Sequence, residues 1–377
     1  MSAAMRLGSR AREGSSSIGD IMRTTQQRIV ASVLASLLPV AAMGQVHRLP
    51  VPLTGLWAEE VNLVQADVNG DLRLEFIRLT DRSVRVEYES GEGVEVPAWG
   101  STIATSDVDC DGWIDVVIDG RYWIPNSELR GGVWSGGGGS AQDGMPYVKV
   151  WDSTATYLEN TTRHFVYDMD GDGVPELYTA DYNGPTGADV ATLRMFRNVA
   201  NNQWQEVWSF AAGPRIFSGM AVADTDGNGK KELIVGKIGG AYLGGPYVGP
   251  RVYIFESNGP DSLQLKHLIN CDPTNSGFFV AHMDDLAVGD IDGDGRIDIA
   301  VGLADSETLY TPEWGSRVRV YSFDAVSHTY EMIYDKTQYI WGTGWLTAIN
   351  IGDADGDGRN ELLWFNRVIA FLQRVEV

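Results

Sequence analysis

Short runs of Val, Ile, Leu and aromatic residues, closed by Gly, Asp or Asn, recur along most of this chain. The clearest series lies in Asp284–Asp335, where LAVGD, IDIAVG, RVRVYSF and YEMIY follow one another. Each run is too short for a helix and rich in β-branched or aromatic residues, so each reads as a strand. Two upstream segments keep the same order, with LRMFRN then WQEVWSF, and RVYIFE then LQLKHLI, as third and fourth runs. Beyond residue 44 no stretch carries the helical period of about 3.6 residues. The pattern predicts an all-β chain built from four-stranded antiparallel units.

An acidic nonapeptide sits between the first and second strands of each unit. Its six copies start at Asp67, Asp107, Asp168, Asp224, Asp290 and Asp353. Oxygen-bearing side chains fall at positions 1, 3, 5 and 9 of each copy. These are Asp67, Asn69, Asp71 and Glu75; Asp107, Asp109, Asp111 and Asp115; and Asp168, Asp170, Asp172 and Glu176. The later copies supply Asp224, Asp226, Asn228 and Glu232; Asp290, Asp292, Asp294 and Asp298; and Asp353, Asp355, Asp357 and Glu361. Gly holds position 6 in all but the first copy, where Leu72 stands. Carboxylates this dense repel one another unless a cation lies among them. Hard oxygen ligands on a short loop suit Ca²⁺, which takes about six to eight oxygens. The spacing resembles the start of an EF-hand loop, but the last acid comes earlier and the flanks (GMAVAD, ELIVGK) read as strands. A calcium-binding hairpin turn, repeated to hold up to six ions, is the expectation. The copies at Asp168, Asp290 and Asp353, with acids at all four positions, are expected to bind most tightly, and the copy at Asp67 most weakly.

The charge agrees. Those positions hold 22 of the 51 acids, and the formal net charge is −22, so acids and bases balance elsewhere. Acids held at fixed spacing are not a generally acidic solvated surface. With no Lys/Arg cluster, neither nucleic acid nor an anionic membrane is an expected partner. At 377 residues and 44% apolar the chain is long enough for a sizeable core. Two cysteines, Cys110 and Cys271, imply no disulfide framework.

Residues 1–44 read as an N-terminal extension and signal peptide. Arg23 and Arg28 precede the apolar run Ile29–Gly44, with small residues placed for cleavage after Gly44. The run is shorter than the ~20 residues of a membrane span. The chain from Gln45 is therefore expected to be secreted, extracellular or periplasmic, without membrane insertion and as a monomer. A retained anchor is the alternative, and a start at Met22 rather than Met1 would shorten the long leader. Export suits the metal, because millimolar extracellular calcium fills weak sites.

Successive acidic loops begin 40, 61, 56, 66 and 63 residues apart. All-strand repeats of this length point to propeller blades, which bury their faces only by stacking on neighbours. Residues 45–377 are expected to form a single β-propeller domain of four-stranded blades, six favoured and seven possible. Gln45–Ala58 would complete the last sheet and leave no open edge. The segment FFVAHMDDLAVGDIDGDGRIDIAVG resembles an FG-GAP repeat of integrin α-subunit propellers and the related VCBS repeats of secreted bacterial proteins. FSGMAVADTDGNGKKELIVG and LTAINIGDADGDGRNELLWF are weaker copies. The resemblance extends over the chain after residue 44. It implies calcium loops on one face of a disc and a role in adhesion or binding.

If the acidic loops share one face, the connections from second to third strand and from unit to unit emerge on the other. Long ones are Gly120–Pro146, Asp181–Ala191, Gly236–Pro250, Gly302–Ser316 and Thr337–Trp345. They carry Trp123, Trp134, Tyr182, Tyr242, Tyr247, Tyr310, Trp314, Trp341 and Trp345. Aromatic faces there could stack on sugar rings or anchor a protein, so an extracellular glycan or protein ligand is expected on this face. Packing between blades is the plainer role for any one of them. Trp151, Trp208 and Trp364 lie on expected strands and are assigned to the core. No nucleophile elbow, zinc motif, P-loop or dinucleotide fingerprint occurs, and no catalytic residue is assigned. The enzymatic alternative is a lyase of acidic polysaccharides using His282, Asp284, Asp285, Tyr310 and Arg251.

Overall fold

The computed structural model describes residues 62–66, 74–79, 83–87, 93–97, 103–108, 110, 115–118, 132–135, 148–152, 161–183, 190–200, 203–213, 217–239, 248–272, 282–306, 313–341, 346–353, 357–366 and 370–373. The expected signal and the closing segment Gln45–Ala58 lie outside them. Among the described residues the chain is all-β, with strands and turns and no helix.

The strands fall into six antiparallel sheets in which chain order equals spatial order. The first holds β1 (Asn62–Ala66), β2 (Glu75–Leu79), β3 (Ser83–Glu87) and β4 (Gly93–Pro97). β5 (Ile103–Ser106), β6 (Asp115–Ile118), β7 (Gly132–Ser135) and β8 (Val148–Asp152) form the second. In the third are β9 (Thr161–Tyr167), β10 (Glu176–Asn183), β11 (Val190–Ala200) and β12 (Gln203–Ala211). The fourth comprises β13 (Phe217–Ala223), β14 (Glu232–Lys237), β15 (Arg251–Ser257) and β16 (Leu263–Asn270). β17 (His282–Gly289), β18 (Asp298–Ser306), β19 (Glu313–Asp324) and β20 (Thr329–Trp341) make the fifth. The sixth has β21 (Leu346–Gly352), β22 (Glu361–Asn366) and β23 (Ala370–Gln373) among the described residues.

Burial explains why these sequences settle as sheets stacked on sheets. β14 is buried along its whole length, whereas the outermost β16 is exposed at most positions. Alternate residues of β14 serve two cores. Leu233 and Val235 join Tyr178, Leu193, Met195 and Phe255 against the third sheet. Ile234 joins Ile254, Met283, Leu286 and Val301 against the fifth. A strand with apolar neighbours on both faces needs an unbroken apolar run, as ELIVG provides. The fifth sheet packs on the sixth through Val318, Val320, Ile349, Leu362 and Trp364. Val108 and Val117 meet Leu177 and Phe196 between the second and third. The first strands contact one another in succession, β1 with β5, β5 with β9, β9 with β13, β13 with β17 and β17 with β21.

Four connections are shorter than the sequence predicts. β7 lies inside Gly120–Pro146, so Trp134 is a strand residue paired with Val116. Tyr182 extends β10 opposite Ala191. Trp314 and Trp341 belong to the long ladder of β19 and β20, where Trp314 pairs with Ile340 and Trp341 with Glu313. Trp364 is a core residue, as expected, and Trp208 packs partly buried against the third core.

Close approach of the first strands makes one glycine indispensable. A Cβ on Gly289 of β17 would stand 2.6 Å from Ile351 Cγ2 on β21, while a Cβ on Gly352 would meet nothing within 4 Å. Gly289→Ala is expected to lower stability by about 1–3 kcal/mol through overpacking, and Gly352→Ala by much less, in urea unfolding of the two variants. Equal losses would mean that this contact does not limit the packing.

Candidate metal centres

The acidic loops are hairpin turns built by their own side chains. In the third loop Asp168 Oδ1 accepts hydrogen bonds from the amides of Gly171 (2.7 Å) and Asp172 (3.2 Å), and Oδ2 from that of Gly173 (2.8 Å). Asp290 repeats this with Gly293 (2.7 Å) and Gly295 (2.9 Å). Asp224 accepts from Gly229 at 3.0 Å, and Asp353 from Gly358 at 2.8 Å. Positions 3 and 5 accept the amide two residues on, as Asp170 does from Asp172 (3.1 Å) and Asp294 from Arg296 (2.8 Å). Wrapping the chain round these oxygens puts positions 4 and 6 in the left-handed region, with φ of 77° and 89° at Gly171 and Gly173. Cys110 takes position 4 of the second loop at φ 60°.

Position 9 is the first residue of the second strand in every sheet, and all six acids there are buried: Glu75, Asp115, Glu176, Glu232, Asp298 and Glu361. In four of them one carboxylate oxygen reaches back to the amide of position 2. Asp115 accepts from Val108 (2.9 Å), Glu176 from Met169 (3.0 Å), Glu232 from Thr225 (2.6 Å) and Asp298 from Ile291 (3.0 Å). Glu176 Oε1, Glu232 Oε1 and Asp224 Oδ1 are buried and accept no hydrogen bond. Burial above all pushes the Glu176 and Glu232 carboxyls up to about 7, and that of Asp298 upward too, because a dry carboxylate is costly to ionise.

These leftover oxygens converge. Asp168, Asp170, Asp172 and Glu176 each offer an oxygen within 4.8 Å of the others, as do Asp224, Asp226 and Glu232, and Asp290, Asp292 and Asp294. The sets are oxygen-only and acceptor-rich, and the first two include buried atoms without a donor. They could hold a metal ion, and the donor set fits a hard divalent cation.

Cationic side chains already lean on the rims. Arg197 bonds Asp172, lies 3.9 Å from Asp170, and reaches Asp261 of the next sheet at 3.0 Å. Arg296 forks onto Asp294 and holds its carboxyl below the usual range. In the fourth loop, Asn228 donates to Asp226 (3.1 Å) and to Glu256 (2.7 Å), which also binds Lys230 (3.1 Å) and Lys266 (3.3 Å). The seams between sheets are tied at the same level. Cys110 Sγ lies 3.8 Å from Gly173 O, Thr225 Oγ1 is 2.6 Å from the Tyr330 hydroxyl, and Asn360 donates to Asp290 O at 2.7 Å. Each of these seam ties joins an acidic loop to a neighbouring sheet, so the pairing is not signalled by the nonapeptide pattern alone.

Other predicted residues stand as follows. Asp67, Asn69, Asp71, Asp109, Asp111 and Asp355 lie outside the described residues, as do Trp123, Tyr242, Tyr247, Tyr310 and Trp345. Asp107, Asp353 and Asp357 occupy their expected loop positions. His164 is a buried residue within β9, and His282 is the first residue of β17. Asp285 Oδ2 accepts the Ile349 amide at 3.4 Å, which ties β17 to β21.

All-β sheets whose first hairpin carries an oxygen-lined acidic turn define the class of structure. Residues 168–235, from the start of the third acidic loop into β14, match the family described as FG-GAP-like repeat. This part of the chain is an FG-GAP-like repeat. No curated relative matches the chain.

The buried acids set a pH dependence for protein kept free of metal. Glu176 and Glu232 titrate near 7 when folded against an ordinary 4.5, so the folded state holds their protons more tightly. That contribution is present below the unfolded value and is lost as pH rises through about 7. Asp294, held low by Arg296, has the opposite sign and acts only as pH falls below the ordinary carboxylate range. In chelator the melting temperature should therefore fall from about pH 5 to pH 8, and Glu176→Gln should flatten part of the fall. A wild-type melting temperature that rises over this window would contradict the assignment.

Proposed function

We propose that this chain is a secreted, calcium-stabilised β-propeller that works as an extracellular binding module, with its ligand on the face opposite the acidic loops. The observation that carries the reading is the shared polarity of the sheets. Each acidic loop joins first to second strand, first strands contact one another in succession, and Asn360 and Cys110 tie one acidic loop to the next. Six blades follow, closed by Gln45–Ala58 pairing with β23 in the sixth sheet.

Calcium is the cation that suits these loops. Ca²⁺ accepts irregular sets of side-chain and backbone oxygens, whereas Mg²⁺ demands a near-octahedral shell and keeps its waters. Its role is structural: it takes up the leftover oxygens at positions 1 and 9 and cancels repulsion in each turn. The expected ligand is a glycan or a protein. The strand ends that hold Tyr182, Trp314 and Trp341 lie on the ligand side, on extended ladders that make a firmer base than free loops.

Two measurements test the reading. Calcium should raise the melting temperature, each site adding about 1.4 kcal/mol when calcium stands tenfold above its dissociation constant. Asp290→Ala should lose one share of that gain, and retention of the full gain refutes the structural role of that loop. A glycan array probed in millimolar calcium should give a specific signal that disappears in EDTA and in Trp314→Ala. Silence from protein shown to be folded moves the ligand to a protein partner.

A further inference from the structure

At the end away from its acidic loop, the fourth sheet carries two adjacent cations. Lys237 closes β14, Arg251 opens β15, and the two are register partners, so they stand side by side on one face of the sheet. That face turns to the third sheet. Leu233, Val235, Tyr253 and Phe255, at the same alternation, all lie in the core between those two sheets. Phe217, the register partner of Lys237 on β13, lies in the same core.

Lys237 is 2% exposed, and its ammonium donates a hydrogen bond to Ala212 O at 2.8 Å, at the exit of the third sheet. Among the described residues the Arg251 guanidinium has no ion pair or hydrogen bond, and no carboxylate faces Lys237. Burial and then the charge of Arg251 push the lysine down to about 8. Elsewhere the basic side chains of this acidic protein find carboxylates readily: Arg197, Arg296, Arg317 and Lys266 all have one. Like charges opposed on a ladder destabilise a sheet, and a dehydrated ammonium costs more. Both penalties disappear when an anion sits between the two groups. A planar guanidinium fork beside a point charge matches a carboxylate in shape and charge.

We propose that Lys237 and Arg251 form a subsite for a carboxylate of the ligand, at the seam of the third and fourth sheets on the face opposite the acidic loops. The proposal rests on the reading of that face as the binding face, and it makes the ligand anionic.

The test is calorimetric titration of the full chain in millimolar calcium with sodium glucuronate, sodium sulfate and glucose at constant ionic strength. Glucuronate should bind saturably and glucose should not. Arg251→Gln should weaken glucuronate at least tenfold while leaving the unliganded protein as stable as wild type or more so, because a like charge is gone. Lys231→Gln, on the exposed acidic-loop side, should bind as wild type. Lys237→Met also loses the tie to Ala212, so its affinity is judged only with its circular dichroism unchanged, and it should fall likewise. Absence of glucuronate binding, sulfate bound in its place, undiminished binding by Arg251→Gln, or a destabilised Arg251→Gln each overturns the proposal. A glycan-array signal that survives in Arg251→Gln would overturn the subsite and leave the binding face standing. Absence of any array signal in folded wild type would move the ligand to a protein partner, and together with absent glucuronate binding it would overturn the carboxylate subsite.

Discussion

One buried carboxylate at the start of the second strand of each sheet is the constraint on which the rest of this structure depends. It fastens the acidic turn to the strand by accepting the position-2 amide, as Glu232 does from Thr225. Because it is buried, it cannot turn to water for its second oxygen. In Glu176 and Glu232 that oxygen accepts no hydrogen bond, and the turn before it is folded to bring further carboxylate oxygens close to it. The left-handed glycines, the Asx-type bonds and the raised carboxyl titration all follow from holding acids in a dry place. Removing an acid at position 9 would leave an unpaired backbone amide as well as an incomplete ligand set.

How much of this could be read from the sequence depends on how local each feature is. The acidic turns of the third, fourth and fifth sheets were legible because the spacing of their acids is fixed within nine residues, and the strands of the fourth sheet because apolar runs such as ELIVG have few other uses. β7 escaped notice since GVWS lies between glycines that read as loop, and only its pairing with β6 and β8 makes it a strand. The extensions of β10, β19 and β20 were hidden for a related reason: a ladder between two partners continues through polar residues with no apolar alternation to announce it. Lys237 is the clearest failure of pattern reading. A lysine at the end of an apolar run looks like a solvated strand end, yet the neighbouring sheet buries it.

Packing between sheets is uneven, and this bears on what the scaffold can do. The seam between the third and fourth sheets is filled by rings: Trp208 and Phe210 meet Phe255 with centroids 5.4 and 5.1 Å apart, edge to face. The seam between the fourth and fifth relies on Ile, Val, Leu and Met, with Cys271 buried among them. Aromatic filling near the cation pair gives its surroundings low polarity and little freedom, conditions under which a charged group is sensitive to a partner.

The ties across the seams differ from one another. A thiol meets a backbone carbonyl between the second and third sheets, and an Arg–Asp pair joins the third and fourth. Two hydroxyls join the fourth and fifth, and an amide meets a carbonyl between the fifth and sixth. A chain of near-identical turns risks docking a sheet against the wrong copy as it folds, since each acidic hairpin offers the same shape. Distinct chemistry at each seam works as an address, rewarding only the correct neighbour. The repeats are thus interchangeable as turns and not as neighbours, and a sheet moved to another place in the order would keep its hairpin but lose its tie.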